Sequence, residues 1–221
     1  MYTTLKMMQS LNGFIAKNQK DDLKWGSSTD KKLYKSLSLE YGTVILGKNT
    51  YLAMPKIAFK GRQAVVIVRN LEQFLLSQTP NNSSQIIQQT FRKITIGKII
   101  DEKLTFNNFT FVELGRDNKL DDLMQYLEFN QGDKNTEKTL VVGGGVINSL
   151  FLTQNLINEI HITIAPKIFG SGIEIFNSSF NTNTNFSLDD LSLDVDLTLQ
   201  KVEQITDNEL LLVYKINQPI N

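Results

Sequence analysis

The chain has 221 residues, 41 % of them hydrophobic, and its 23 basic and 23 acidic side chains leave a formal net charge of zero. That balance argues against a general nucleic-acid or polyanion binder, which is usually basic. With no cysteine and one histidine, His161, the chain has no disulfide, no thiolate chemistry and no zinc site of the usual nitrogen and sulfur type.

Tyr2 to Met8 reads as a strand that ends at SLNGFIA, where Asn12-Gly13 is a turn signal. The N-terminus has no basic stretch leading into a long apolar run, and no run of about 18 apolar residues occurs anywhere. The expectation is a soluble cytoplasmic protein forming one domain over 1–221, without nucleic acid or membrane partners. After a polar loop at Lys17 to Lys24, Ser28, Thr29 or Asp30 caps a helix running to about Glu40. TVIL at Thr43 to Leu46 is a short buried strand, followed by GKNT and a short helix to Met54-Pro55. A third strand spans Ala64 to Val68 and ends at Arg69-Asn70.

Leu71 to Asn108 has two ambiguous apolar runs and a polar patch, TPNNSSQ, and reads as an insertion or divergent extension. Phe109 to Leu114 is a strand, and Asp117 to Asn130 a helix with Leu120, Leu123, Met124 and Leu127 at helical spacing. A strand at Thr139 to Val142, a helix at Val146 to Leu152 and an alternating strand at Ile157 to Ala165 follow. The Asn/Thr/Ser tract from Asn177 to Ser187 is a loop. Leu193 to Val202 and Glu209 to Ile216 form a closing β pair. The pattern is α/β: a three-layer sandwich with a mostly parallel central sheet and an antiparallel C-terminal edge. Ligands of such sheets gather at the carboxyl ends of the strands.

Those ends carry the chemistry. TLVVGGGVINSLF sets Gly143, Gly144 and Gly145 between a strand and a helix, a geometry that offers backbone N–H groups to phosphate. The dinucleotide fingerprint is incomplete, because Asn148 stands at its third glycine. A ligand-free tight turn is the alternative. GTVILGKN resembles a phosphate loop only in its letters, since TVIL is a strand. Lys48, Lys56, Lys60, Arg62 and Arg69 form a basic run without acidic residues between Tyr41 and Leu71, suited to a small anion or to a solvated surface. Asp30 is either a helix cap or a partly buried carboxylate able to support proton transfer. His161 reads as a surface or structural residue.

Four pieces, SLNGFIA, W-GSST-D with VILGKNTY, GRQAVVIVRN and LVVGGGVINSLF…INEIHITIAPKIFGSG, occur in this order. The set resembles the dihydrofolate reductase superfamily, including the reductase domain of bacterial riboflavin biosynthesis, over roughly residues 1–70 and 109–216. The resemblance implies a reductase that takes a hydride from NADPH. It implies that Met8, Ile15 and Ala16 lie beside the nicotinamide and that Leu11 to Phe14 begin a mobile loop. Gly47, Lys48, Asn49 and Thr50 would hold cofactor phosphates, and Arg69 the adenosine 2′-phosphate. Gly143, Gly144 and Gly145 would admit the pyrophosphate to the helix that Val146 and Ile147 begin.

The resemblance also assigns Asp30, Tyr34 and Arg62 to the substrate, with Asp30 and Thr163 as the catalytic pair. Asp30, Thr163 and Arg62 match the folate-reducing branch. GGGVINSLF and LINEIHITIAPKIFGSG match the riboflavin branch, whose substrate is a diaminouracil bearing a ribosyl phosphate that Lys31, Lys32 or Lys35 would meet. Asn12 stands where the family usually has Asp. The resemblance ranks the ribosylaminopyrimidine first and dihydrofolate second, with a non-catalytic NADP(H)-binding protein as a third reading. Lacking the residues of a zinc deaminase, the chain is expected to be a stand-alone reductase. A homodimer through the ITIAP strand and the closing β pair is a further expectation.

Overall fold

β-Branched runs alternating with amphipathic segments resolve into one mixed sheet. The computed structural model describes residues 1–78, 92–96, 99–106, 109–114, 119–130, 138–177 and 194–217. Strands β1 (Tyr2–Ser10), β3 (Thr43–Gly47), β4 (Gln63–Val68), β7 (Phe109–Glu113), β8 (Lys138–Val141) and β9 (Glu159–Ala165) are parallel, in the order β9-β1-β8-β3-β4-β7. On the β9 side, β12 (Glu209–Ile216) and then β11 (Leu197–Thr206) add antiparallel. On the β7 side, β6 (Ile99–Phe106) and β5 (Arg92–Ile96) do the same. A separate short ribbon pairs β2 (Phe14–Ala16) with β10 (Ile173–Glu174).

The helices are α1 (Ser28–Tyr41), α2 (Lys48–Ala53), α3 (Leu71–Gln78), α4 (Asp121–Asn130) and α5 (Gly145–Thr153), with a 3₁₀ turn at Lys56–Phe59. Alternation along each strand divides the core in two. Ile45 of β3 joins Leu5, Val141, Leu123, Leu150 and Phe151 on one face. Its neighbours Val44 and Leu46 join Tyr41, Phe59, Phe74 and Phe111 on the other.

Three local expectations change. Ser27 caps α1, its Oγ accepting from the Asp30 N–H at 3.0 Å. Ser28, Thr29 and Asp30 instead form the first turn. The stretch 71–108 contributes an ordered helix and a second antiparallel edge. Its helix is tied down where the Leu71 N–H donates to Glu113 Oε2 at 2.7 Å and Phe74 enters the core. TPNNSSQ lies outside the described residues, as does most of the Asn/Thr/Ser tract. The first strand of the closing pair runs Leu197–Thr206, past the expected end at Val202, and the pair turns at Asp207-Asn208; Leu193 lies outside the described residues. No helix among the described residues is long and apolar enough to cross a membrane.

Candidate active site

The parallel pairing of β1 with β9 aligns Met8 with Thr163 and Lys6 with His161. Lys6, Met8 and Thr163 therefore point to one face of the sheet, the face on which α1 lies. Because Ser27 caps the helix, the Asp30 carboxylate is released toward the strands. Lys6 Nζ donates to Asp30 Oδ1 at 2.7 Å and to Thr163 Oγ1 at 2.8 Å. The Thr163 hydroxyl donates to the same Oδ1 at 2.6 Å. A third Lys6 donor reaches the Met7 carbonyl at 3.4 Å. The lysine and aspartate side chains are 4 % and 12 % exposed, and charges so far from water persist only when paired and hydrogen-bonded.

Lys6 is a site residue that the sequence pattern does not single out: in a strand its side chain points opposite to those of Leu5 and Met7, so its apolar neighbours say nothing of its burial. His161 stays peripheral, with Nε2 at 3.0 Å from Glu159 Oε1.

Lys6 and Asp30 line a cleft of about 1810 Å³, larger than the roughly 300–1,000 Å³ of a site for one drug-sized ligand. Met8 with Ile15 and Ala16 of β2 form one apolar wall. Lys48, Asn49, Thr50 and Arg69 line another part, together with Gly47 at the end of β3. Tyr34 and Arg62 line a third, beside Lys31, Lys35 and Lys60. Trp25 also lines the cleft, edge-on to Phe169 at 5.2 Å, and its buried Nε1 has no hydrogen-bond partner.

The three glycines have separate reasons. Gly143 has φ +94°, a backbone region costly for any other residue, and a Cβ there would meet Met7 Cε at 2.9 Å. It sits behind the cleft wall and joins Gly144 through a cis peptide bond. Gly144 lies on the cleft, where an added Cβ would come only as near as 3.4 Å to Thr50 Oγ1. Gly145 is packed against the chain after β10: a Cβ would fall 2.3 Å from the Glu174 carbonyl oxygen. Asn148 fixes that segment, its Nδ2 donating to the Ile175 carbonyl at 2.7 Å. Val146 and Ile147 open α5 along the cleft.

Arg62 is buried, and its guanidinium is engaged within the protein. Nε donates to Ser38 Oγ at 2.7 Å, Nη1 to the Lys60 carbonyl at 2.8 Å and Nη2 to the Lys35 carbonyl at 3.2 Å. It lies 5.7 Å from the Tyr34 ring. Burial pushes the Tyr34 phenol up to about 12, against the lowering field of Arg62. Thr163 is fully buried behind Asp30 and reaches the cleft only through it. Among the described residues no cluster of carboxylates and histidine is arranged to hold a metal ion.

The family model described as RibD C-terminal domain matches residues 1–211. The chain belongs to the RibD C-terminal domain family. No curated protein matches the sequence. Among solved structures, a putative riboflavin biosynthesis protein from Shewanella sp. PV-4 aligns with TM-score 0.61 at 17 % identity, over 99 % of this chain and 100 % of that one. Acinetobacter baumannii RibD aligns with TM-score 0.65 at 18 % identity, over 98 % of this chain and 58 % of that one. Dihydrofolate reductase from Enterococcus faecalis, complexed with NADP(H) and RAB-propyl, aligns with TM-score 0.55 at 13 % identity, over 98 % and 97 %. These likenesses establish a dihydrofolate-reductase-like fold. Membership of the RibD C-terminal domain family supports a reductase of the riboflavin-pathway type.

Proposed function

We propose that this RibD C-terminal domain protein is an NADPH-dependent reductase of 5-amino-6-(5-phosphoribosylamino)uracil or a related diaminopyrimidine ribosyl phosphate. The observation that carries the reading is the buried Lys6–Asp30–Thr163 cluster at the wall of a cleft large enough for a dinucleotide and a second ligand. Gly144 supports the cofactor half: a side chain there would occupy space on the cleft beside Thr50. Lys48, Asn49, Thr50 and Arg69 supply donors and positive charge for its phosphates. Ile15, Ala16 and Met8 offer an apolar seat for a flat ring. When bound, NADPH supplies the hydride.

The protein contributes orientation and electrostatics. In the reading proposed, the hydride reaches C1′ of the ring-opened ribosyl imine and one proton is taken up at the imine nitrogen, which yields the ribitylamino product. Lys6 holds an ammonium next to that centre and Asp30 sets its position and charge. Thr163 fixes Asp30 from behind. Lys31, Lys35 and Lys60 line the cleft as partners for the sugar phosphate. Arg62 organises this wall through Ser38 and two carbonyls.

Dihydrofolate is the second reading, favoured by the 2.6 Å bond between Thr163 and Asp30, which would orient a carboxylate toward a pterin. NADPH oxidation measured with each substrate separately decides between them. Turnover of dihydrofolate alone reverses the ranking, and NADPH binding without turnover of either removes the enzymatic reading.

A further inference from the structure

Among the described residues, the carboxylates that line the cleft are Asp21, Asp22, Asp30 and Glu113. Asp21 and Asp22 are engaged within their own loop. Asp21 accepts from the Lys17 and Leu23 N–H groups, one at each oxygen. Asp22 takes the Lys24 N–H and the Lys24 ammonium in the same way. Asp30 and Glu113 each keep one oxygen, Oδ2 and Oε1, that accepts no hydrogen bond from the described residues. Asp30 stands over β1 and β9, at one side of the parallel block, and Glu113 ends β7 at the other. The sheet sets the place of Glu113. It aligns with Val68 at the end of β4, so it neighbours the Arg69-Asn70 turn that starts α3. Two residues after Phe111 it points to the same face, where the Phe111 and Phe74 rings pack at 5.3 Å. Oε2 accepts from the Leu71 N–H at 2.7 Å, and Asn70 Oδ1 from the Gln73 N–H at 2.6 Å. Open N–H groups at a helix start attract phosphate; here a carboxylate already holds that place.

We propose that Glu113 is a specificity-determining residue for the adenosine ribose and narrows the preference for NADPH over NADH. The inference rests on the nicotinamide-cofactor reading above and adds which dinucleotides the site admits. Arg69, which lines the cleft together with Glu113, favours a 2′-phosphate. Glu113 opposes it. A carboxylate repels a phosphate and accepts from a 2′-hydroxyl, the contact that acidic residues make to the ribose in NAD-binding sheets. Asn70 and Gln73, both neutral, line the same cleft and suit either ribose. With one cation and one carboxylate acting against each other, the two dinucleotides bind with similar affinity. Capping α3 is the other role open to Glu113. Capping needs only an acceptor for the Leu71 N–H, which glutamine also provides; the effect on preference needs the charge.

Fluorescence titration of the full chain with NADPH and with NADH, without substrate, tests this. In the wild type the two dissociation constants are expected to lie within about 10-fold of each other. Glu113→Gln should widen that gap in favour of NADPH by about 10-fold or more, with an unchanged thermal melt. Binding of both dinucleotides with an unmoved ratio in Glu113→Gln overturns this inference alone and leaves Glu113 as a helix cap. If neither dinucleotide binds, the cofactor reading falls and this inference with it. Should the variant fail to fold, the wild type is titrated with NADPH in competition with 5′-AMP or adenosine 2′,5′-bisphosphate. The two competitors are expected to differ by less than about 10-fold, and a larger preference for the bisphosphate overturns the proposal.

Discussion

Lys6 and Asp30 stand 24 residues apart in sequence and meet at 2.7 Å between β1 and the first turn of α1. Thr163, from β9, bonds to both. Three elements distant in the chain thus converge on one buried oxygen. Removing either ion alone leaves the other buried and unpaired, at a cost of about 3–5 kcal/mol. Lys6→Met and Asp30→Leu are each expected to lower stability by about that much in urea unfolding, and the combined variant to regain most of it. Activity should stay lost in all three. A combined variant that recovers turnover would assign the pair to stability only.

Asp30→Asn keeps the shape and removes the charge. Reductase turnover should fall by about 10²–10⁴-fold, while NADPH affinity, set elsewhere in the cleft, changes little. Equal losses in turnover and cofactor affinity would contradict a role for Asp30 at the substrate.

Gly144 and Gly145 are adjacent and should respond differently to the same change. Gly145→Ala drives a methyl group toward the Glu174 carbonyl. Overpacking of this kind costs about 1–3 kcal/mol, which lowers the melting temperature by about 3–10 °C in a chain of this size. Gly144→Ala has room beside Thr50 and should fold normally but bind NADPH more weakly. Calorimetric melts and cofactor titration of both variants separate the two roles.

Arg69→Ala should weaken NADPH about 10-fold or more and NADH hardly at all. Equal losses for the two cofactors would remove Arg69 from the 2′-phosphate.

Tyr34 gives a pH signature. Its folded value of about 12 lies above the ordinary value of 10.0 because of burial. Folding therefore holds the proton that the unfolded chain releases first. The associated stability is complete below about pH 10 and declines as pH rises toward 12. Tyr2, also pushed up to about 12 by burial and by Glu159, adds to the same decline. Urea unfolding from pH 8 to 11.5 should show a falling limb that is shallower in Tyr34→Phe; an identical limb in that variant would exclude Tyr34 as its source.

Much of this was legible in the sequence where one physical signal dominated. TVIL, QAVVIV and EIHITIA are strands because β-branched runs suit little else, and the motif order carried the fold. The site was legible only in part. Asp30 and Thr163 stand out through resemblance, whereas Lys6 is indistinguishable from an ordinary strand lysine without the β1–β9 register, which places it on the same face as Met8 and Thr163. The glycine triplet is open in sequence to a phosphate cradle or a tight turn; in the fold Gly144 and Gly145 line the cleft and Gly143 lies behind it, with Met7 and Glu174 closely approaching Gly143 and Gly145. The stretch 71–108 stayed opaque because its strands pair with each other and with β7, and antiparallel edge pairing leaves little trace in composition.

β9 makes one last point. Thr163 faces Lys6 and Asp30, whereas its neighbours Ile162 and Ile164 face the opposite, apolar side of the sheet. A slip of one position against β1 would exchange the two sets, pushing isoleucine toward Lys6 and threonine toward the outside. Any insertion or deletion within Glu159–Ala165 is therefore expected to disturb the Lys6–Asp30–Thr163 cluster and the opposite face together. Point changes can alter one and spare the other, so this strand is open to gradual substitution but closed to changes in length.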